Sequence, residues 1–245
     1  MKRLLTVFTM AVAAMAFAVG AKAQISVGAG YGLATHEEKT LASDGEVLYD
    51  EDEGLSGFYI NASYNLDLLS RKWGVLSLQP GLTYSYYGFS DSEREDNFGT
   101  TTFTKTSLNE HYLDVPVNVK YSYDLLPGTL KLSAFAGPVF SFGLSSTAVA
   151  RVDVGDDWTK IRTNNYTGTV TTKGNVAGVS LDSTEKGSGT GYRMFDLKLG
   201  LGIAATVIDK LEVKFAYNIG LLDRIEAQGK RLNTNVFTVG VAWNF

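Results

Sequence analysis

The chain has 245 residues, with 22 lysines and arginines against 26 aspartates and glutamates, two histidines and no cysteine. Without thiols there are no disulfides, thiolate zinc sites or cysteine nucleophiles, and His36 and His111 alone are too few for a histidine-rich metal centre. Gly (26), Tyr (13) and Phe (13) are abundant and Pro (4) is scarce, a balance that favours β-structure over helix bundles.

Residues 1–23 read as a secretory signal peptide. Lys2 and Arg3 precede an uncharged apolar run over 4–20, and Ala21-Lys22-Ala23 forms a small-x-small cleavage site before Gln24. The run is shorter than the roughly 20 residues a spanning helix needs. Cleavage removes three bases (Lys2, Arg3, Lys22) and no acid, so 22 bases become 19 against 26 acids and the net charge moves from −4 to −7. An acidic chain is a poor nucleic-acid binder. No long apolar run follows residue 23, so the mature part, 24–245, can enter a membrane only as a barrel.

Period-two alternation then recurs eight times. Ile25, Val27, Ala29, Tyr31 and Leu33 share one face of the first segment, opposite Ser26, Gly28, Gly30 and Gly32. Phe58, Ile60, Ala62, Tyr64, Leu66 and Leu68 mark the second, and Leu76, Leu78, Leu82, Tyr84 and Tyr86 the third. The fourth carries Leu113, Val115, Val117, Val119, Tyr121 and Tyr123, and the fifth Leu130, Leu132, Ala134, Ala136, Phe140, Phe142 and Leu144. Phe195, Leu197, Leu199, Leu201, Ile203 and Val207 mark the sixth, and Leu211, Val213, Phe215, Tyr217, Ile219 and Leu221 the seventh. The eighth ends the chain with Phe237, Val239, Val241, Trp243 and Phe245. Tight turns at 69–72, 125–128 and 208–210 alternate with long polar connections at 35–54, 88–109, 146–190 and 223–234. Short turns on one side and long loops on the other are the outer-membrane pattern.

Alternation alone does not say which face points outward, since a soluble barrel alternates too. The polar faces are rich in Gly, Ser and Asn and poor in Lys and Glu, as a crowded interior requires. Aromatics gather near segment ends: Tyr84, Tyr86, Phe140 and Phe142 toward the loops, and Tyr64, Trp73, Tyr121, Tyr123, Trp243 and Phe245 toward the turns. An 11-residue strand tilted about 40° spans about 25–28 Å, the height of an outer-membrane apolar band. The fold expected is an all-β, eight-stranded antiparallel up-and-down transmembrane β-barrel in a Gram-negative outer membrane. Pro80, Pro116 and Pro138 fall inside these segments, where local ladder breaks, with bulges as the usual accommodation, are expected.

Tyr112-Leu113-Asp114-Val115-Pro116-Val117-Asn118-Val119-Lys120-Tyr121 resembles the characteristic strand of the PorT-like outer-membrane β-barrel family. Phe135-Ala136-Gly137-Pro138, Phe195-Asp196 with Gly200-Leu201-Gly202, and Tyr217-Asn218-Ile219-Gly220-Leu221 are similar to further strands of that family, and Asp114 stands where it more often has Glu. The resemblance implies fold and location and assigns no activity. Val241, Trp243 and Phe245 at alternate C-terminal positions are similar to the signal that such barrels present to the assembly machinery.

Asp67, Asp114, Lys120, Lys131, Asp196, Lys198, Glu212 and Lys214 fall on the polar, inward faces. They either line a pore or pair with one another to fill the interior, and eight strands leave room for side chains but not a channel. The first loop is acidic, with Glu37, Glu38, Asp44, Glu46, Asp50, Glu51, Asp52 and Glu53. It is either a hard-cation site or a solvated face that meets lipopolysaccharide through divalent ions; no EF-hand spacing is present. His111 lies on the outward face near the loop side, where it would serve a lipid-modifying acyl hydrolase or transferase if Ser85 or Ser145 of a neighbouring strand approached it; Ser107 is roughly 13 Å along its own strand.

No phosphate loop, zinc motif or nucleophile elbow is present. The expectation is a non-enzymatic barrel without cofactor, acting through its loops on outer-membrane lipids, lipopolysaccharide or a protein partner. A lipid enzyme using His111 and a narrow porin are the alternatives. The third loop holds the candidate contacts Trp158 and Tyr166, and its Thr169–Thr172 stretch predicts a hairpin turning at Lys173-Gly174-Asn175.

Overall fold

A computed structural model of the chain describes residues 24–42, 47–97, 100–187, 191–225 and 229–245. The segment 1–23 read as a signal peptide lies outside the described residues, as do Asp44 and Glu46 of the acidic loop. Eleven strands occur among the described residues: β1 (Gln24–Leu41), β2 (Val47–Arg71), β3 (Gly74–Asn97), β4 (Thr100–Leu126), β5 (Leu130–Val154), β6 (Asp157–Asn164), β7 (Thr169–Val176), β8 (Val179–Lys186), β9 (Phe195–Val207), β10 (Leu211–Gly220) and β11 (Lys230–Asn244).

All pairings are antiparallel. The order β4-β3-β2-β1-β11-β10-β9-β5 closes on itself through an additional β4–β5 pairing, and β6-β7-β8 extend the sheet from β5. Eight strands therefore each have two neighbours in a ring, which leaves no free edge there. β5 changes partner along its length: Leu130–Phe142 pair with β9, and Thr147–Val154 pair with β6.

The ring is inside-out relative to a soluble protein. Ile25, Val27, Phe58, Ile60, Ile203 and Val241 are each about half exposed, whereas Ser26, Ser63, Gln79, Ser85, Ser133 and Ser141 are buried. Small polar residues fill a narrow interior, and the apolar outer surface has a stable environment only in lipid. Trp73 and Tyr121 pack together at the turn side, where Lys210 lies 5.8 Å from the Trp243 ring. Phe142 and Phe195 pair at the loop side, 5.4 Å apart. Tyr64, read from sequence as part of the turn-side girdle, is instead buried.

The prolines interrupt the ladder without displacing it. Pairing lapses between Ser63↔Gly81 and Leu66↔Leu78, between Pro80↔Val117 and Thr83↔Asp114, and between Pro116↔Val139 and Val119↔Ala136, then resumes in the same register. The bulges expected there lie elsewhere, at Thr40/Leu41, Asp67/Leu69, His111/Tyr112 and Asp124/Leu126. A missing N–H costs a bond at one position and inserts no residue.

The connections read as loops are largely strand. β2 to β5 run for 25, 24, 27 and 25 residues, against about 9–11 needed to cross a bilayer. Once paired, an antiparallel hairpin satisfies its backbone by continuing. The third connection continues β5 and adds β6, β7 and β8. Its turn does not fall at Lys173-Gly174-Asn175, which remain in β7 opposite Lys160, Thr159 and Trp158. It falls at Ala177 and Gly178, both with positive φ (51° and 78°), as a primed two-residue turn requires. A Cβ on Gly174 would lie 2.6 Å from the Trp158 carbonyl oxygen, so that glycine serves close strand approach.

Candidate functional site: a buried polar plug at the loop-side mouth

Extending the inward parity past the apolar band brings His36 on β1, Glu110 and Tyr112 on β4 and Thr234 on β11 to one level, and the register shift opposite His111/Tyr112 turns Ser146 on β5 to the same side. The outward residues there, Thr35, Asn109, Thr147 and Asn235, are polar, so this level stands outside the lipid-facing band. Arg224 enters from the β10–β11 connection, whose backbone is pinned by Arg224 N–H donating to the Leu232 carbonyl at 2.9 Å and Arg193 N–H to the Arg224 carbonyl at 2.7 Å. Asp223 Oδ1 accepts from the backbone N–H groups of Ile225 and Leu232, each at 3.0 Å.

These groups saturate one another. Glu110 Oε2 lies 2.7 Å from His36 Nε2 and also accepts from the Tyr112 hydroxyl. Glu110 Oε1 accepts from Ser146 Oγ at 2.8 Å, and Ser146 Oγ accepts from Asn165 Nδ2 at 2.8 Å. His36 Nδ1 bonds Thr234 Oγ1 at 2.9 Å. Arg224 donates to the Tyr112 hydroxyl (2.7 Å), Thr234 Oγ1 (2.8 Å) and the Tyr166 hydroxyl (3.2 Å), and its Nη2 is 3.9 Å from Glu110 Oε1. The guanidinium carbon lies 5.1 Å from the Tyr112 ring centre and 5.6 Å from that of Tyr192. Glu110 is 0% and Arg224 1% exposed, and burying charge this deeply is tolerated only because every member is paired. Burial alone would push the Glu110 carboxyl up, but the His36 hydrogen bond and charge, the Arg224 charge and the Tyr112 hydrogen bond outweigh it and hold it at about 2. An apolar layer of Ala34, Leu55, Tyr87, Leu108 and Val236 packs alongside.

The plug ties four ring strands to the bases of both neighbouring connections. Tyr166, expected as an exposed loop contact, is turned inward over Gly143, where a Cβ would lie 1.8 Å from the Tyr166 hydroxyl. Trp158 is half-buried, with Arg151 5.4 Å from its ring centre.

The eight inward charges divide into levels. Lys120 and Glu212 form a buried pair at 2.5 Å, to which Thr206 Oγ1 donates at 3.3 Å. Lys214 Nζ lies 4.8 Å from the Phe135 ring and Lys198 Nζ 5.1 Å from the Tyr112 ring. Asp114 and Asp196 share one pairing row through Ser141. Lys131 and Asp67 line the interior only at its turn-side mouth. Lys131 pairs with Asp209 (3.0 Å) and Asp124 (3.7 Å) at the turns, and Asp67 is exposed and accepts from Ser77 Oγ at 2.8 Å. Strand ends sit at the mouth, where solvent reaches them.

Two cavities of about 70 Å³ each lie inside the ring, one lined by Asp114, Asn118, Lys214 and the rings of Tyr59 and Phe135, and one by Asp67, Lys131 and Glu212. Each has room for about five to seven waters, at roughly 10–15 Å³ per water. With the Lys120–Glu212 pair within and the plug above, planar-bilayer recordings of the purified protein are expected to show no large, steady channels.

His111 stands at the outer rim, its Nδ1 2.7 Å from the Tyr84 hydroxyl and its ring 5.1 Å from that of Tyr86. Ser85, weighed as its partner, points inward and is 1% exposed, while Ser145 is its cross-strand neighbour on β5. Sequence reading missed His36, Glu110, Ser146, Arg224 and Thr234. Inward parity continued three residues beyond each apolar band would have located His36, Glu110 and Thr234; Ser146 has the parity of the outward Leu144 and faces inward only through the register shift opposite His111/Tyr112, and the loop of Arg224 has no period.

A ring of antiparallel strands with a lipid-suited exterior and a polar, plugged interior is the architecture of an outer-membrane β-barrel protein. The chain belongs to the outer membrane protein beta-barrel domain family, whose model matches residues 4–245, and this membership points to the outer membrane. A comparison with curated proteins finds no match. Among solved structures, the chain is similar to Ail, the attachment invasion locus protein of Yersinia pestis, in complex with the heparin analogue sucrose octasulfate (14% identity, 91% of this chain and 99% of that one, TM-score 0.40). It is also similar to Neisserial surface protein A (13%, 90% and 97%, TM-score 0.37) and to the outer membrane enzyme PagL (10%, 91% and 98%, TM-score 0.41). Likeness at this level transfers no residue and no activity.

Proposed function

We infer that the ring of eight strands is the membrane-spanning barrel, that residues 1–23 are its cleaved export signal, and that the protein is a non-enzymatic scaffold presenting a rigid recognition sheet outside the cell. The observation that carries this reading is strand length: more than half of β2, β3, β4 and β5 stands beyond the span a bilayer needs. Paired extensions on a closed barrel are stiff, and stiff projecting segments suit recognition. The His36–Glu110 couple has its nitrogens and oxygens engaged and is sealed from substrate. His111 is engaged by the Tyr84 hydroxyl, Ser85 faces inward, and Ser145, opposite it on β5, makes no hydrogen bond to it among the described residues. The strand over 112–121 supports a PorT-like assignment within the family. Val241, Trp243 and Phe245, all outward and exposed, suit the assembly machinery.

The test replaces 157–186, which carry β6 to β8, with a short turn. Heat-modifiable mobility and membrane integration are expected to persist, while cross-linking of a surface partner in intact envelopes is lost. His111→Ala is expected to leave lipid A acylation unchanged; a shift on that substitution would promote the enzyme instead.

A further inference from the structure

The pairing registers beyond the rim gather the bases on one face, together with the acids Asp96, Asp153 and Asp182. Lys105 on β4, Arg151 on β5, Lys160 on β6 and Lys173 on β7 are directly opposed in one row across four strands. Arg162 shares that face one step nearer the barrel, opposite Val149, which pairs with Ser107. The other face of the same extension carries Asp91, Glu93, Glu95, Asp157 and Glu185 and, among the described residues, no base.

Like charges directly opposite one another destabilise a sheet unless something neutralises them. Arg151 is held by Asp153 (2.7 Å) and Lys173 lies 3.5 Å from Asp182, whereas Lys105, Lys160 and Arg162 are exposed without an ion pair among the described residues. The basic face is continuous with the lipid-facing one: Lys105, Ser107, Asn109, His111 and Leu113 alternate outward along β4. Lys105 stands six residues above His111, roughly 20 Å along the strand and roughly 15 Å above the rim at a tilt of about 40°. That is where the phosphorylated sugars of an outer leaflet lie, and lysine and arginine reach toward them on long stems.

We propose that this row of bases is a binding face for the phosphorylated saccharide headgroup of lipopolysaccharide in the protein's own membrane. The proposal rests on the outer-membrane reading above and gives the lipopolysaccharide expected from sequence a binding face with named residues. The phosphates neutralise Lys105, Lys160 and Arg162, and the acidic opposite face keeps the headgroup to one side, so the extension lies against the leaflet with its acids facing away.

The test uses the full-length mature protein in phosphatidylcholine nanodiscs, with phosphorylated rough lipopolysaccharide, the same lipid after dephosphorylation, and a soluble polysulfated oligosaccharide as probes. Wild type is expected to bind the phosphorylated lipid at least ten-fold more tightly than the dephosphorylated form. Lys105→Ser/Lys160→Ser/Arg162→Ser is expected to lose that preference while keeping heat-modifiable mobility. Equal binding of the two lipids, or an unchanged preference in the triple variant, overturns the proposal. Full displacement by the soluble oligosaccharide overturns the membrane source in favour of a free polyanion. Loss of heat-modifiability in wild type would instead refute the barrel reading.

Discussion

Replacing Glu110 with Gln is expected to cost about 3–5 kcal/mol of unfolding free energy, the range for breaking a buried ion pair from one side. The substitution keeps the shape but removes the charge that Arg224 and His36 are arranged around, and leaves a guanidinium that is 1% exposed without its carboxylate. Urea unfolding in detergent, followed by heat-modifiable mobility, reads the effect. The advantage of wild type carries a pH signature. Because the folded carboxyl is held at about 2, below its ordinary 4.5, its stabilisation is complete above about 4.5 and disappears as pH falls through 2. The two proteins should therefore differ most near neutrality and converge in acid. A cost under about 1 kcal/mol at neutral pH would mean that solvent enters the plug.

The Lys120–Glu212 pair gives the second large expectation. Glu212→Leu leaves Lys120, 4% exposed, without its 2.5 Å partner, and is expected to destabilise the barrel by about 3–5 kcal/mol. The double substitution Lys120→Met/Glu212→Leu is expected to recover most of that loss, because two well-packed apolar side chains have no charge to compensate. If the two single substitutions simply add, the pair is not a unit and its members are satisfied separately.

The alternation of Ile25 to Leu33, Phe58 to Ala62 and Phe195 to Val207 determined the ring strands and the sense of their faces, because a two-residue period has only two ways to face and one is ruled out in lipid. Both members of the buried Lys120–Glu212 pair were legible by that parity. The sequence alone did not determine where the strands end. Polar Thr- and Glu-rich stretches such as Lys39–Leu41, Val47–Gly54 and Thr100–Asn109 look like loops when judged by hydrophobicity, yet they pair because an established hairpin carries its register outward. Nor could local pattern place Tyr166 over Gly143, or bring Arg224 from an aperiodic turn to Glu110, 114 positions away in sequence. The row Lys105–Arg151–Lys160–Lys173 is likewise four isolated bases in the chain. Only the pairing register, set by turns and bulges across β4 to β7, makes them neighbours on one face.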